Sequence, residues 1–129
     1  MPGEPAVSRP LPSLLLVEDE PELVELALRA LQSDFRVFPA HSVADAELLL
    51  AARSYDVIVC DHMLPGELGF DFLIRVQDMM PKTRRILVTG YTNPEFISRS
   101  IGIAGLSACL VKPVRASDLR DAALASLAS

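Results

Sequence analysis

Residues 56–69 read DVIVCDHMLPGELG. Val57 to Cys60 form an unbroken apolar run, and continuous rather than alternating hydrophobicity marks a β-strand covered on both faces. Asp61 ends the run. In open parallel sheets, functional groups collect beyond the carboxyl ends of the strands, so a carboxylate at this point is a candidate for chemistry as well as a stop signal.

Further apolar runs lie on either side of this stretch, at Leu14 to Val17, Ile86 to Val88 and Ala108 to Val111, with a weaker one at Phe35 to Phe38. Segments of helical period separate them. Val24, Ala27, Leu28 and Leu31 share one helical face, with Glu22, Glu25 and Arg29 on another. Pro21 suits the first turn of that helix, where its missing N–H costs nothing. Ser42 can cap a second helix with the stripe Val43, Ala46 and Leu50. Leu73, Val76 and Met80 mark a third, stopped by Pro81. Asn93-Pro94 opens a fourth, thin in apolar residues, that ends near Gly102 and Gly105. Leu119, Ala123 and Leu127 share a face of the last. Alternating strands and helices predict an α/β fold: a single doubly wound five-stranded parallel sheet with helices on both faces.

The chain has 129 residues, half of them hydrophobic, which supports one compact domain with an aliphatic core. Residues 1–13, with Pro2, Pro5, Pro10 and Pro12 among few apolar side chains, are predicted to be a flexible proline-rich leader, and the domain to run from 14 to 129. A formal charge of -5 and a pI near 4.9 supply no basic footprint for nucleic acid. No apolar run approaches the ~18 residues of a membrane span. Cys60 and Cys109 lie in apolar strands without metal-ligand spacing and are expected to be buried free thiols, which fits a cytoplasmic setting. Met79-Met80 reads as the end of a helix against the core.

The first strand ends in Glu18-Asp19-Glu20, the third in Asp61, the fourth in Thr89-Gly90 and the fifth in Lys112-Pro113. Carboxylates brought together repel, and a hard oxygen-seeking cation relieves that repulsion, so Mg²⁺ is the expected ion. Such an ion can neutralise a phosphoryl group in transit, and a carboxylate such as Asp61 can capture it as an aspartyl phosphate. Lys112 offers a point charge opposite the metal, and Thr89 a hydroxyl for phosphoryl oxygens. The bland alternative makes the acidic run a solvated helix start and Lys112 a surface charge.

Four segments, LLLVEDEPEL, DVIVCDHMLPGELG, RILVTG and LVKP, resemble in this order and spacing the signatures of response-regulator receiver domains of two-component systems. The resemblance runs from Leu14 to about Leu127. It implies a flavodoxin-like (βα)5 fold of strand order 2-1-3-4-5. It makes Asp61 the phosphoacceptor, Asp19 and Glu18 metal ligands, and the Met63 backbone carbonyl a further ligand for Mg²⁺, with Mn²⁺ as a substitute. Thr89 and Lys112 match the phosphate-sensing hydroxyl and lysine, and Pro113 the proline that usually follows the lysine through a cis bond. Pro65 and Gly69 shape the loop after the acceptor, and Gly90 leaves the backbone open beside the phosphate. The implied donor is a sensor histidine kinase or phosphotransfer protein. The implied output surface, for an output domain, a downstream protein or a second copy in a homodimer, is the face of the fourth helix, fifth strand and fifth helix. RILVTGYTN is similar to receivers attached to transcriptional or phosphodiesterase output domains.

Three positions before the lysine, where most receivers have Tyr or Phe, this chain has Cys109. The aromatic half of the usual switch is therefore missing from its usual place. Met63 and Tyr91, two residues beyond the acceptor and the threonine, carry no acidic group to orient a hydrolytic water. His62 would point away from Asp61 if the strand continues, and is expected, like His41, to be an exposed loop residue. A turnover enzyme is not expected: haloacid-dehalogenase-like phosphatases carry a second Asp where Met63 stands. The alternative is a receiver-like interaction module that works without phosphorylation.

Overall fold

The computed structural model describes residues 10–128, so the leader reading over residues 1–9 lies outside the described residues. The elements alternate strictly as β1 (Ser13–Val17), α1 (Pro21–Leu31), β2 (Arg36–Ala40), α2 (Val43–Ala52), β3 (Val57–Asp61), α3 (Gly69–Met79), β4 (Arg84–Thr89), α4 (Pro94–Ala104), β5 (Ala108–Val111) and α5 (Ala116–Ala128). All five strands are parallel, in the order β2-β1-β3-β4-β5. The fold class, the strand count and the order agree with the sequence reading. β1 starts at Ser13, one residue before the expected boundary, and the Pro12 carbonyl already accepts from the Arg36 N–H at 2.9 Å.

Side-chain alternation along each strand divides the core into two layers. Leu14, Leu16, Val57, Val59 and Ile86 pack with Val24, Ala27 and Leu31 of α1 and Leu119 and Ala123 of α5. Leu15, Val17, Ile58, Cys60 and Leu87 pack against Ala46 and Leu50 of α2, Phe72, Leu73 and Val76 of α3 and Ala104 of α4. Both faces of the central strands β1, β3 and β4 are thus covered, the condition that makes strands read as continuous apolar runs.

Several boundaries differ from the sequence reading for identifiable reasons. β2 includes Pro39, which removes a ladder donor but is tolerated because β2 is an edge strand. β4 begins at Arg84, ahead of its apolar run. Arg85 is buried because its guanidinium donates to the carbonyls of Thr83, Ala104 and Gly105 at 2.6–3.0 Å. α4 runs through Gly102 and stops at Gly105, whose φ of 59° is the left-handed cap that glycine adopts without strain. In α5 the buried positions are Leu119, Ala123 and Ser126, whereas Leu127 is exposed. Ser126 donates its hydroxyl to the Ala123 carbonyl at 2.7 Å, so a polar residue fills the inward place expected for leucine. Of the two thiols, Cys60 is fully buried and Cys109 only half-buried. No helix among the described residues is long and apolar enough to cross a membrane.

Candidate functional site

At the carboxyl ends of β1, β3, β4 and β5 the sheet presents the residues singled out from sequence. β1 delivers Glu18, whose N–H is bound to the Ala40 carbonyl of β2 at 2.9 Å. β3 delivers Asp61, 3% exposed. Thr89 ends β4 in full burial, and its carbonyl accepts from the Lys112 N–H at 2.8 Å, which fixes the end of β5 beside it.

Glu18, Asp19 and Asp61 place one carboxylate oxygen each within 4.8 Å of one another. Such a set of hard oxygens fits Mg²⁺ or Mn²⁺. The crowding is visible in protonation. Burial, and next the charge of Asp61, push Glu18 up to about 7. A dication between the carboxylates would reverse that effect by favouring their charged forms.

Opposite the acidic group stands Lys112. Its Nζ lies 2.8 Å from Asp61 Oδ1 and 3.9 Å from Glu20 Oε1. Burial alone would lower the lysine, yet its hydrogen bond to Asp61 and the charges of Asp61, Glu18 and Glu20 hold it above its ordinary value. Lys112 therefore stays a cation, and the peptide bond between it and Pro113 is cis. An apolar cavity of about 530 Å³, lined by Leu23, Leu26, Val88, Pro113 and Val114, opens beside Glu18, Asp61 and Lys112.

The loop after Asp61 is closed at its base. The Gly69 N–H donates to the His62 carbonyl at 2.7 Å, and Met63 bridges to Leu68. A Cβ on Gly69 would lie 2.0 Å from the Asp61 carbonyl oxygen, so only glycine lets α3 start this close to the end of β3. Arg75 of α3 pairs with Glu67 of the loop and, at 2.8 Å, with Glu47 of α2. Gly90, by contrast, has open space where a Cβ would stand.

His62 corrects the sequence reading. It is 2% exposed, not a surface loop residue. Its N–H continues the ladder to the Val88 carbonyl at 2.8 Å, and its ring lies against Tyr91 and Phe96, with centroids at 5.1 and 5.3 Å. The expected direction, away from Asp61, agrees with these neighbours. In a doubly wound sheet, however, that direction leads under a helix and not into solvent. Burial lowers the imidazole below its ordinary value, against the charges of Asp61 and Asp71. His41 is exposed, as expected.

Met63 and Tyr91 lie together beyond the ends of β3 and β4, both exposed, with the Tyr91 hydroxyl 3.9 Å from the Met63 Sδ. The Tyr91 N–H donates to Thr89 Oγ1 at 3.0 Å. Phe96, whose ring meets those of Tyr91 and His62, is the residue that sequence reasoning missed. Its position in the first turn of α4 was legible, but the partners that meet it come from two other strand ends.

Comparison with known proteins places this geometry in context. The response regulator receiver domain matches residues 14–124. Over 101 residues the chain is 35% identical to the hydrogenase transcriptional regulatory protein HoxA of Cupriavidus necator, covering 78% of this chain and 21% of that protein. It is 33% identical over 110 residues to the response regulator protein PilR of Pseudomonas aeruginosa, covering 83% of this chain and 24% of that protein. The signal receiver domain of an HD domain-containing protein from Pseudomonas fluorescens superposes with a TM-score of 0.84 at 27% identity, covering 95% of this chain and 91% of that one. The chain spans a quarter or less of the length of the two regulators.

Proposed function

This chain belongs to the response regulator receiver domain family, and on that premise we propose that Asp61 accepts a phosphoryl group in a Mg²⁺-dependent reaction and thereby switches a binding surface. The observation that carries the proposal is the position of Asp61, 2.8 Å from the Lys112 ammonium and within 4.8 Å of the Glu18 and Asp19 oxygens.

A carboxylate oxygen of Asp61 attacks phosphorus. The new P–O bond forms as the P–N bond of a phosphohistidine, or the P–O bond of a small acyl phosphate, breaks, and the electron pair leaves with the donor. Glu18, Asp19, Asp61 and the Met63 backbone carbonyl would hold Mg²⁺, which would supply neutralising charge for the phosphoryl oxygens. Lys112 turns from the carboxylate to a phosphoryl oxygen once the carboxylate charge is spent. Thr89 donates its hydroxyl to another while still accepting from Tyr91.

The donor is a sensor histidine kinase or phosphotransfer protein. The output partner, an output domain, downstream protein or second copy, meets the α4–β5–α5 face. The protein works in the cytoplasm as a phosphorylated switch and not as a turnover enzyme. Incubation with acetyl phosphate and Mg²⁺, followed by mass measurement, tests the reading. One phosphoryl group added to the native chain and none to Asp61→Asn supports it. No addition to either would leave a phosphorylation-independent interaction module.

A further inference from the structure

Two residues of the proposed phosphoryl site each pass to a neighbour in an aromatic cluster. Asp61 is followed in the chain by His62, and Thr89 Oγ1 is bonded to the N–H of Tyr91 at 3.0 Å. The rings of His62 and Tyr91 contact each other, and both contact Phe96, at 5.3 and 5.0 Å between centroids. Phe70 of α3 closes the cluster at 6.3 Å from Phe96. His62 Nδ1 is buried without a hydrogen-bond partner among the described residues, so no bond at that atom fixes the ring, and packing supplies its contacts.

α4 is held unevenly. Its buried residues are Ser100 and Ala104, both in its C-terminal half. That end is also pinned to β4 by Arg85, which donates to the carbonyls of Ala104 and Gly105 at 3.0 Å each. In the first turn, the Asn93 side chain bonds, among the described residues, to the helix's own Glu95 and Phe96 N–H groups. Phe96 therefore supplies the ring contacts that join this end of α4 to the site.

We propose that Phe96 is where α4 reads the state of Asp61, through Tyr91 on one side and His62 on the other, with the Arg85-bound end of the helix as the fixed pivot. The inference rests on the phosphoacceptor reading. When Thr89 moves toward a phosphoryl oxygen it draws the Tyr91 backbone with it. The Tyr91 ring slides against Phe96, and the N-terminal half of α4 follows. The aromatic element absent at Cys109 on β5 is thus supplied from the β3 and β4 loops.

Backbone amide NMR with and without beryllofluoride and Mg²⁺ tests this in the wild type and in Phe96→Ala, Tyr91→Ala and Cys109→Ala. Tyr91→Ala leaves the helix sequence intact and guards against simple fraying in Phe96→Ala. The expected result is that residues 94–100 shift in the wild type and in Cys109→Ala, and that these shifts are lost or reduced in the other two. Full shifts in either Phe96→Ala or Tyr91→Ala, or their loss in Cys109→Ala, overturn the proposal. Mass after acetyl phosphate separates the two levels: variants that gain a phosphoryl group without moving α4 isolate the relay, and a wild-type chain that gains none removes both readings.

Discussion

Lys112 and Asp61 meet across two strand spacings, with β4 lying between their strands and Nζ 2.8 Å from Oδ1. The pair is asymmetric in its surroundings, because the lysine is partly open to solvent while Asp61 is buried beside further carboxylates.

Lys112→Met should therefore cost stability most when no divalent cation is present, since it leaves the buried carboxylates without a counter-charge. A loss of about 1–3 kcal/mol is expected, below that of a fully buried pair because the lysine is partly solvated. Urea unfolding in EDTA and in Mg²⁺ measures it, and added Mg²⁺ should recover more stability in the variant than in the wild type.

Glu18 sets a pH dependence of opposite sign to the usual carboxylate. Burial and the charge of Asp61 raise it from 4.5 to about 7, so the folded chain binds more protons than the unfolded chain between those values. Its contribution is complete below about 4.5 and is lost as pH rises through about 7, a fall on the order of 3 kcal/mol. Thermal unfolding in EDTA should show this decline as a difference between the wild type and Glu18→Gln, in which it is absent. A flat difference would contradict it.

At Gly69 the added methyl of alanine would stand 2.0 Å from the Asp61 carbonyl oxygen, a backbone atom that cannot swing aside. Gly69→Ala should destabilise by about 3 kcal/mol or more and displace the acceptor. Gly90→Ala, which meets open space, is the comparison and should be close to neutral in the same denaturation assay.

Neither Met63 nor Tyr91 offers an acidic group to a water approaching Asp61. The phosphoaspartate should outlast that of a Met63→Asn/Tyr91→Glu double variant. Decay of labelled phosphoprotein after removal of the donor gives the two lifetimes directly, and equal or faster loss in the native chain would refute this.

The sheet and the acceptor region were legible because both are written locally. An apolar run ended by a polar residue carries the strand and its functional end in one stretch, as in Val57 to Asp61 or Ile86 to Thr89. What escaped depends on partners far away in sequence. The burial of Arg85 requires the carbonyls at the end of α4, and that of His62 requires Tyr91 and Phe96. Pro39 is acceptable in β2 only because that strand lies at the edge. Leu127 and Ser126 exchange roles in the last turn of α5, where a hydroxyl that returns its bond to Ala123 can face inward. Helical period alone does not show that exchange.

The tight closure between His62 and Gly69 also separates what can change from what cannot. With the base fixed by the Gly69 N–H bond and by the contact that excludes any side chain beside Asp61, the intervening residues 63–68 form a cassette on a rigid frame. Randomising positions 63 and 65, with Gly66 kept because its φ of 87° strains any other residue, should yield receivers that differ in signal duration and partner choice while keeping Asp61 in place. This loop is thus open to divergence and to engineering without disturbing Asp61.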